Sequence, residues 1–297
     1  MASMSEEEQE RIETVSKFLL QSPPGEINDV LNDVRVLIGD DESLETGILP
    51  ALTQYNLEQL TVAEVPGAGH SSIVSIRARI PGEEDRFLDP RSKTSFLYNH
   101  LTMEISDPQT HEPNEASEPF RSALETSTLQ YLSSHFNDGT ASVFANSDET
   151  SFIIQIVANK YNPVNFWSGR WRSEYTVDLD ARKVTGQILV NVHYYEQGNV
   201  QLETKHRASI VLPTSISASS PGPSAKKVLA LIADQEGAYQ ESLGDTYHEM
   251  GDKAFKGLRR ALPLTRQKLD WDKVLGYKLS AELSSSKAIF GGSGGSS

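Results

Sequence analysis

The sequence predicts an α+β protein, built as helices, then antiparallel strands, then helices again. Three observations predict it. Apolar residues before residue 60 recur at three- and four-residue steps. Between Thr61 and Pro213, β-branched and aromatic residues alternate with polar ones. After the Pro- and Ser-rich stretch at 214–225, a long run without proline follows to Leu262.

The first region, residues 1–60, reads as a helical bundle. In EINDVLNDVRVLIGDD the apolar residues Ile27, Val30, Leu31, Val34, Leu37 and Ile38 share one helical stripe. Pro23-Pro24-Gly25 ends the helix before it, and Gly39-Asp40 ends this one. A third helix is expected from about Ser43 to Leu60, and short connections allow antiparallel packing.

The second region, 61–213, reads as an antiparallel sheet. SSIVSIRARI, SVFANS, SFIIQIVANKY, WRSEYTVDL, KVTGQILVNVHYY and NVQLETKHRASIVL are the strand candidates. EQGN joins the last two, and Gly198 and Asn199 suit the positive φ of a tight hairpin. The Pro-rich acidic stretch at 103–118 is expected to be a mobile loop. Residues 214–262 form a connector and a long helix that Pro263 breaks. Residues 263–290 form an amphipathic extension, with Asp270 as a cap for DWDKVLGYKLSAEL. GGSGGSS, 291–297, has linker composition.

Charge is unevenly placed. The chain is at −14, yet Lys253 to Lys278 holds eight basic and two acidic residues, so the remainder stands at −20. At about 100° per residue, Lys253, Lys256 and Arg260 share one helical face. Phe255, Leu258 and Leu262 lie opposite, and Arg259 falls near the boundary. Trp271, Val274, Leu275, Leu279 and Leu283 make a second apolar stripe. Three readings fit: a helix packed on its own core, a helix seated in the groove of an acidic partner, or a helix lying on a membrane surface. A basic patch on an acidic body steers that end toward an acidic partner.

Other classes are excluded by composition. The acidic balance argues against a general nucleic-acid binder. Zero cysteines exclude disulfides, Cys-zinc sites and a Cys nucleophile. The acidic start MASMSEEEQERIETV has no apolar core and is not a signal peptide. No stretch approaches the roughly 18 apolar residues of a membrane span. The hydrophobic content of 37% lies below the usual 45–50% or so, a figure that also counts Gly. Some of the core is therefore expected to come from a partner.

No enzyme chemistry is legible. The seven histidines form no zinc motif, and His193 reads as a strand residue rather than a ligand. Gly67-Ala68-Gly69 lacks the rest of a nucleotide-binding fingerprint. The G-x-S-x-G match falls in the terminal linker, with no strand before it. Glu83-Glu84 and Asp40-Asp41 read as solvated loop carboxylates. No catalytic residue, metal or cofactor is expected.

Longer motifs carry a resemblance. NFWSGRWRSEYTV, NVHYYEQGNVQL, RFLDPRSKTSF and SPPGEINDVLNDVRVLIGDD resemble segments of the F-actin capping protein (CapZ) α-subunit family, in order from about Arg11 to Leu283. KGLRRALPLTRQKLDWDKVLGYKLSAEL resembles that family's C-terminal actin-binding extension. The loop 103–118 and the connector 214–225 do not clearly match, and Tyr175 stands where many members carry Trp. The resemblance implies a helical bundle, an antiparallel sheet continued by a β subunit, a long helix and a mobile extension. It implies an obligate heterodimer that blocks the barbed end of the actin filament, in the cytoplasm and in cortical actin structures.

Site residues follow from the same resemblance. Lys256, Arg259, Arg260, Arg266, Lys268, Trp271, Leu275 and Leu279 are the expected actin-binding set. Lys256, Arg260 and Arg266 are also the expected phosphoinositide site, where anionic lipid inhibits capping. Burying the three apolar side chains Trp271, Leu275 and Leu279 is worth on the order of 5 kcal/mol before ordering costs. Docking mainly on anionic lipid, or capping an actin-related filament in dynactin, are the alternatives. Trp167, Arg170, Trp171 and Arg172 read as scaffold or subunit interface, with Arg stacked on Trp.

Overall fold

The structure is a computed structural model that describes residues 6–38, 41–196 and 199–249. The chain divides into two compact units, residues 1–239 and 240–297. Within the first unit, helices α1 (Glu6–Leu20), α2 (Ile27–Ile38) and α3 (Asp41–Glu58) form the expected bundle. Val15, Leu19, Ile27, Leu31, Leu52 and Tyr55 are its buried centre. α1 and α3 approach so closely at Gly47 that a Cβ there would lie 2.4 Å from Ile12 Cδ1. Between α1 and α2 the break at Gly25 takes φ +83°, with the Tyr161 ring against its Cα. A side chain has neither the backbone freedom nor the space to replace it.

Short strands follow. β1 (Thr61–Glu64) and β2 (Ser71–Val74) form a hairpin. β3 (Arg86–Asp89), β4 (Thr94–Tyr98) and β5 (Ile105–Thr110) form a three-stranded antiparallel sheet in that order. β5 lies inside the segment expected to be a loop. Its side chains are mostly exposed and Pro108 sits within it, so the segment shows no alternation. As an edge strand it tolerates proline, which cannot donate to a ladder.

A second departure is α4 (Glu118–His135), a helix in the middle of the region read as strands. Pro119 opens it, where the missing N–H costs nothing. Phe120, Leu124, Thr128, Tyr131 and Leu132 are buried along one face. Their steps of four and three residues are helical.

The main sheet is antiparallel, with order β10-β9-β8-β7-β6. Its strands are β6 (Gly139–Ala145), β7 (Ser151–Asn162), β8 (Trp167–Asp178), β9 (Lys183–Tyr194) and β10 (Val200–Val211). β7 is buried without a break from Ser151 to Ala158 because both of its faces are covered. That explains why Phe152, Ile153, Ile154, Ile156 and Val157 run together there, where a one-sided strand alternates. A 3-10 turn at Pro163–Asn165 joins β7 to β8, and Phe166 leaves it at φ +58°. Gly169 lies inside β8 and is not part of that turn.

α5 (Pro221–Glu249) crosses one face of the sheet. Val228, Leu229 and Ile232 are buried along it. The connector before it is held by Ser224, whose hydroxyl donates to Ser217 O at 2.9 Å and accepts from Ser217 N at 3.0 Å. Residues 240–249, in the second unit, continue as helix.

Candidate partner-binding surface

β8 sorts its side chains by parity. Trp171 and Tyr175 point to the α5 side: Trp171 lies 5.9 Å from the Tyr239 ring and Tyr175 bonds to Glu236. Arg170 and Arg172 point to the helical bundle.

On the α5 side, Glu236 is fully buried and takes both Tyr175 Oη, at 2.7 Å, and Tyr131 Oη. Burial first, then the Glu236 charge, pushes both phenols far above their ordinary value. Neutral hydroxyls are the state that suits a carboxylate acceptor.

On the bundle side, polar links join the helices to the sheet. Glu26 Oε1, just before α2, lies 2.8 Å from His193 Nδ1 and accepts from Ser168 Oγ at 3.1 Å. Arg170 donates to Asn159 Oδ1 at 2.8 Å and reaches Gln59 O at 3.4 Å. Arg172 donates to Glu58 O and to Asn191 Oδ1, both at 2.5 Å. Burial, then the neighbouring Arg170, pushes the Arg172 guanidinium down to about 10. Neither arginine stacks on tryptophan as the sequence reading expected; Lys160 Nζ instead sits 5.5 Å from the Trp167 ring. His193 is a buried strand residue, as expected.

Under β8, β9 and β10 lies a cavity of about 630 Å³, walled on the far side by the end of α3 and by the Ser75–Arg77 segment. It is mainly polar. Arg172, Lys205, Glu203, Glu174 and Arg77 line it with the amides of Gln155, Gln187 and Asn191. Arg77 pairs with Glu174 at 3.0 Å.

The two ends of the sheet differ. Near β6, Ile73 of β2 donates its N–H to Ser142 Oγ at 3.3 Å, so that end meets other structure. β10 pairs with β9 over its whole length, and among the described residues no strand lies beyond it. Only Ala208 of β10 is buried. An edge of this length presents a row of unpaired backbone groups to any strand that can add to it.

The expected actin- and lipid-binding residues Lys256, Arg259, Arg260, Arg266, Lys268, Trp271, Leu275 and Leu279 all lie outside the described residues. Among the described residues, no three metal-ligating side chains gather into a site and no helix is long and apolar enough to cross a membrane. Sequence reasoning missed Glu236, Asn191 and Glu26. Their partners lie far away along the chain, and no local pattern marks them.

Known proteins agree on one family. The model of the F-actin capping protein alpha subunit family matches residues 15–282. The chain belongs to the F-actin capping protein alpha subunit family. The F-actin-capping protein subunit alpha of Neurospora crassa is 38% identical over 275 residues, covering 91% of this chain and 96% of that protein. The subunit of Emericella nidulans is 37% identical, covering 93% and 98%. That of Caenorhabditis elegans is 36% identical, covering 95% and 100%. Among solved structures, a homodimeric actin capping protein alpha subunit from Plasmodium berghei superposes with a TM-score of 0.70 at 19% identity. It covers 87% of this chain and 99% of that one, and it shows the shared α+β fold.

Proposed function

We propose that this chain is the α subunit of a heterodimer that caps the barbed ends of actin filaments. The β subunit adds to the sheet at β10, and the segment after residue 249 binds the terminal actins. Lys256, Arg259, Arg260, Arg266 and Lys268 meet acidic actin surface, while Trp271, Leu275 and Leu279 enter an apolar groove. Phosphoinositide headgroups compete for Lys256, Arg260 and Arg266, so lipid inhibits capping. The dimer works in the cytoplasm, at cortical actin.

The observation that carries this reading is the reach of the family match. It runs to residue 282 and so spans the basic run from Lys253 to Lys278. The uncovered edge of β10 supports the partner, because edge strands of this length are otherwise blunted or covered.

The test is actin elongation from preformed filament seeds, with lipid absent. The chain is co-expressed with its β partner and compared with Lys256→Ala/Arg260→Ala/Arg266→Ala. Barbed-end growth is expected to stop with the unchanged dimer and to continue with the triple variant. Equal capping by both would move the end-binding surface elsewhere and leave the charge to lipid. No capping by either would overturn the reading.

A further inference from the structure

Asn56, near the end of α3, and His100, in the β4–β5 turn, are 1% and 3% exposed and touch each other. Their hydrogen bonds fix which atoms carry protons. Asn56 Nδ2 lies 3.0 Å from the His100 carbonyl oxygen, which can only accept. Thr61 Oγ1 donates to Asn56 Oδ1 at 3.2 Å. The amide therefore turns its NH2 toward His100. Its second hydrogen meets His100 Nδ1, 3.3 Å from Nδ2, so Nδ1 accepts and bears no proton. The ring is a neutral imidazole with its proton on Nε2.

Nε2 has no hydrogen-bond partner among the described residues. Asp85 Oδ1 is 3.9 Å from it, on a side chain that is mostly exposed. Phe87 and Tyr98 stand edge to face with the ring, and the Arg79 guanidinium lies over Phe87. The charged and titratable groups around His100 are thus Asp85, Arg79 and Tyr98. Burial holds the imidazole below its ordinary value; Asp85 opposes that and Arg79 adds to it. A second proton has one place to go, Nδ1. There it points at the Asn56 NH2, and two donors face each other in a buried space with no acceptor between them.

The contact sits at a junction. Leu101 and Met103 of the same turn pack on the core of the bundle, and Met103 also packs on the core of the small sheet. Two and three residues after Asn56, the carbonyls of Glu58 and Gln59 take Arg172 and Arg170 of β8. We propose that the Asn56–His100 contact is a proton-operated latch between α3 and the β4–β5 turn. It is closed while Nδ1 is bare. A proton on Nδ1 opens it and frees the end of α3 from the small sheet. Because the fold holds the imidazole low, the latch stabilises fully above about pH 6.5, the unfolded value. That contribution is lost as pH falls from there through the depressed folded value.

The test is hydrogen exchange of the full chain as purified, read by peptide mass spectrometry and corrected for the chemical rate at each pH. Peptides covering Tyr55 to Gln59 are expected to exchange about tenfold faster near pH 5.5 than near pH 7.5, while those at the start of α5 keep their rate. His100→Gln removes the titrating ring and is expected to abolish the difference. Asn56→Asp sets an acceptor against Nδ1 and is expected to reverse it, with slower exchange in acid. Where His100→Gln does not fold, Asn56→Asp decides. The proposal is overturned if the unchanged chain differs by less than about twofold between the two pH values, or if α5 speeds up equally. It is also overturned if either variant keeps the acid opening of the unchanged chain.

Discussion

The hydroxyl of Tyr175, in the middle of β8, donates to Glu236 Oε1 of α5 at 2.7 Å, and Tyr131 of α4 donates to the same carboxylate. One buried acid thus ties a strand and two helices together. The tyrosines' proton affinity is raised in the fold, so their contribution is fully present below the ordinary tyrosine value of about 10. As pH rises past it, the unfolded chain loses its phenol protons first and stability falls. Tyr131→Phe/Tyr175→Phe is expected to cost about 2 kcal/mol at neutral pH and to flatten the alkaline limb. Urea midpoints followed from neutral to alkaline pH check both. An unchanged alkaline limb would show that these phenols are not the titrating groups.

Gly186 of β9 sits directly under Tyr175. A Cβ there would lie 2.3 Å from Tyr175 Cδ1 and 2.6 Å from the Glu174 carbonyl oxygen. Because one of those contacts is backbone, the strand itself must shift. Gly186→Ala is expected to destabilise by about 1–3 kcal/mol, read as a lower urea midpoint. At Gly169, six residues before Tyr175 on β8, an added Cβ would meet nothing closer than 3.8 Å, so Gly169→Ala serves as the tolerated control.

Glu118 and Glu125 flank Arg121 with opposite consequences. The hydrogen bonds from Arg121 hold Glu118 below its ordinary value, while burial outweighs the same arginine and raises Glu125. Glu118 therefore stabilises above about pH 4.3, the unfolded value, and loses that contribution as pH falls through its depressed one. Glu118→Gln is expected to cost about 2 kcal/mol at neutral pH. The gap to the unchanged protein should close in acid. Chemical denaturation at neutral and acidic pH checks this, and a gap independent of pH would contradict it.

Charged and apolar residues of the C-terminal segment are expected to act on different rate constants. Arg260→Ala removes a steering charge and should slow barbed-end association severalfold, with dissociation nearly unchanged. Leu275→Ala removes buried apolar area and should speed dissociation about tenfold, a change near 1.4 kcal/mol. Single-filament imaging resolves both constants. The assignment fails if the two variants change the same constant.

The helices of the bundle were legible because each buries one patterned face, and the long strands because their β-branched and aromatic residues either alternate or, in β7, run together under cover on both faces. The stripe through Ile27, Leu31 and Val34 shows α2 in three and four residue steps. α4 was missed: Phe120, Leu124, Tyr131 and Leu132 carry its stripe, but Ser and Thr between them mask it amid strand-like neighbours. β5 shows no pattern because Ser106 to Gln109 bury no apolar face and their pairing with β4 is interrupted by a register shift. Arg172 and Glu236 were visible as residue types, not as roles. Their partners lie 114, 61 and 105 residues away, and only the folded topology decides which carbonyl faces the buried arginine and which phenols face the buried acid. The basic segment was readable as chemistry, while its actin- and lipid-binding assignment came through the family resemblance.

The links between the bundle and the sheet have a mechanical consequence. Glu26 to His193 and Ser168, Arg170 to Gln59, and Arg172 to the Glu58 carbonyl flank the contact of Leu60 with Ile73 and Val157. Hydrogen bonds lose their strength within a fraction of an ångström and a few tens of degrees, whereas a greasy contact slides. A joint of this kind is stiff and brittle. Load on the sheet passes to the bundle without slack up to a rupture point, and then the joint gives way at once.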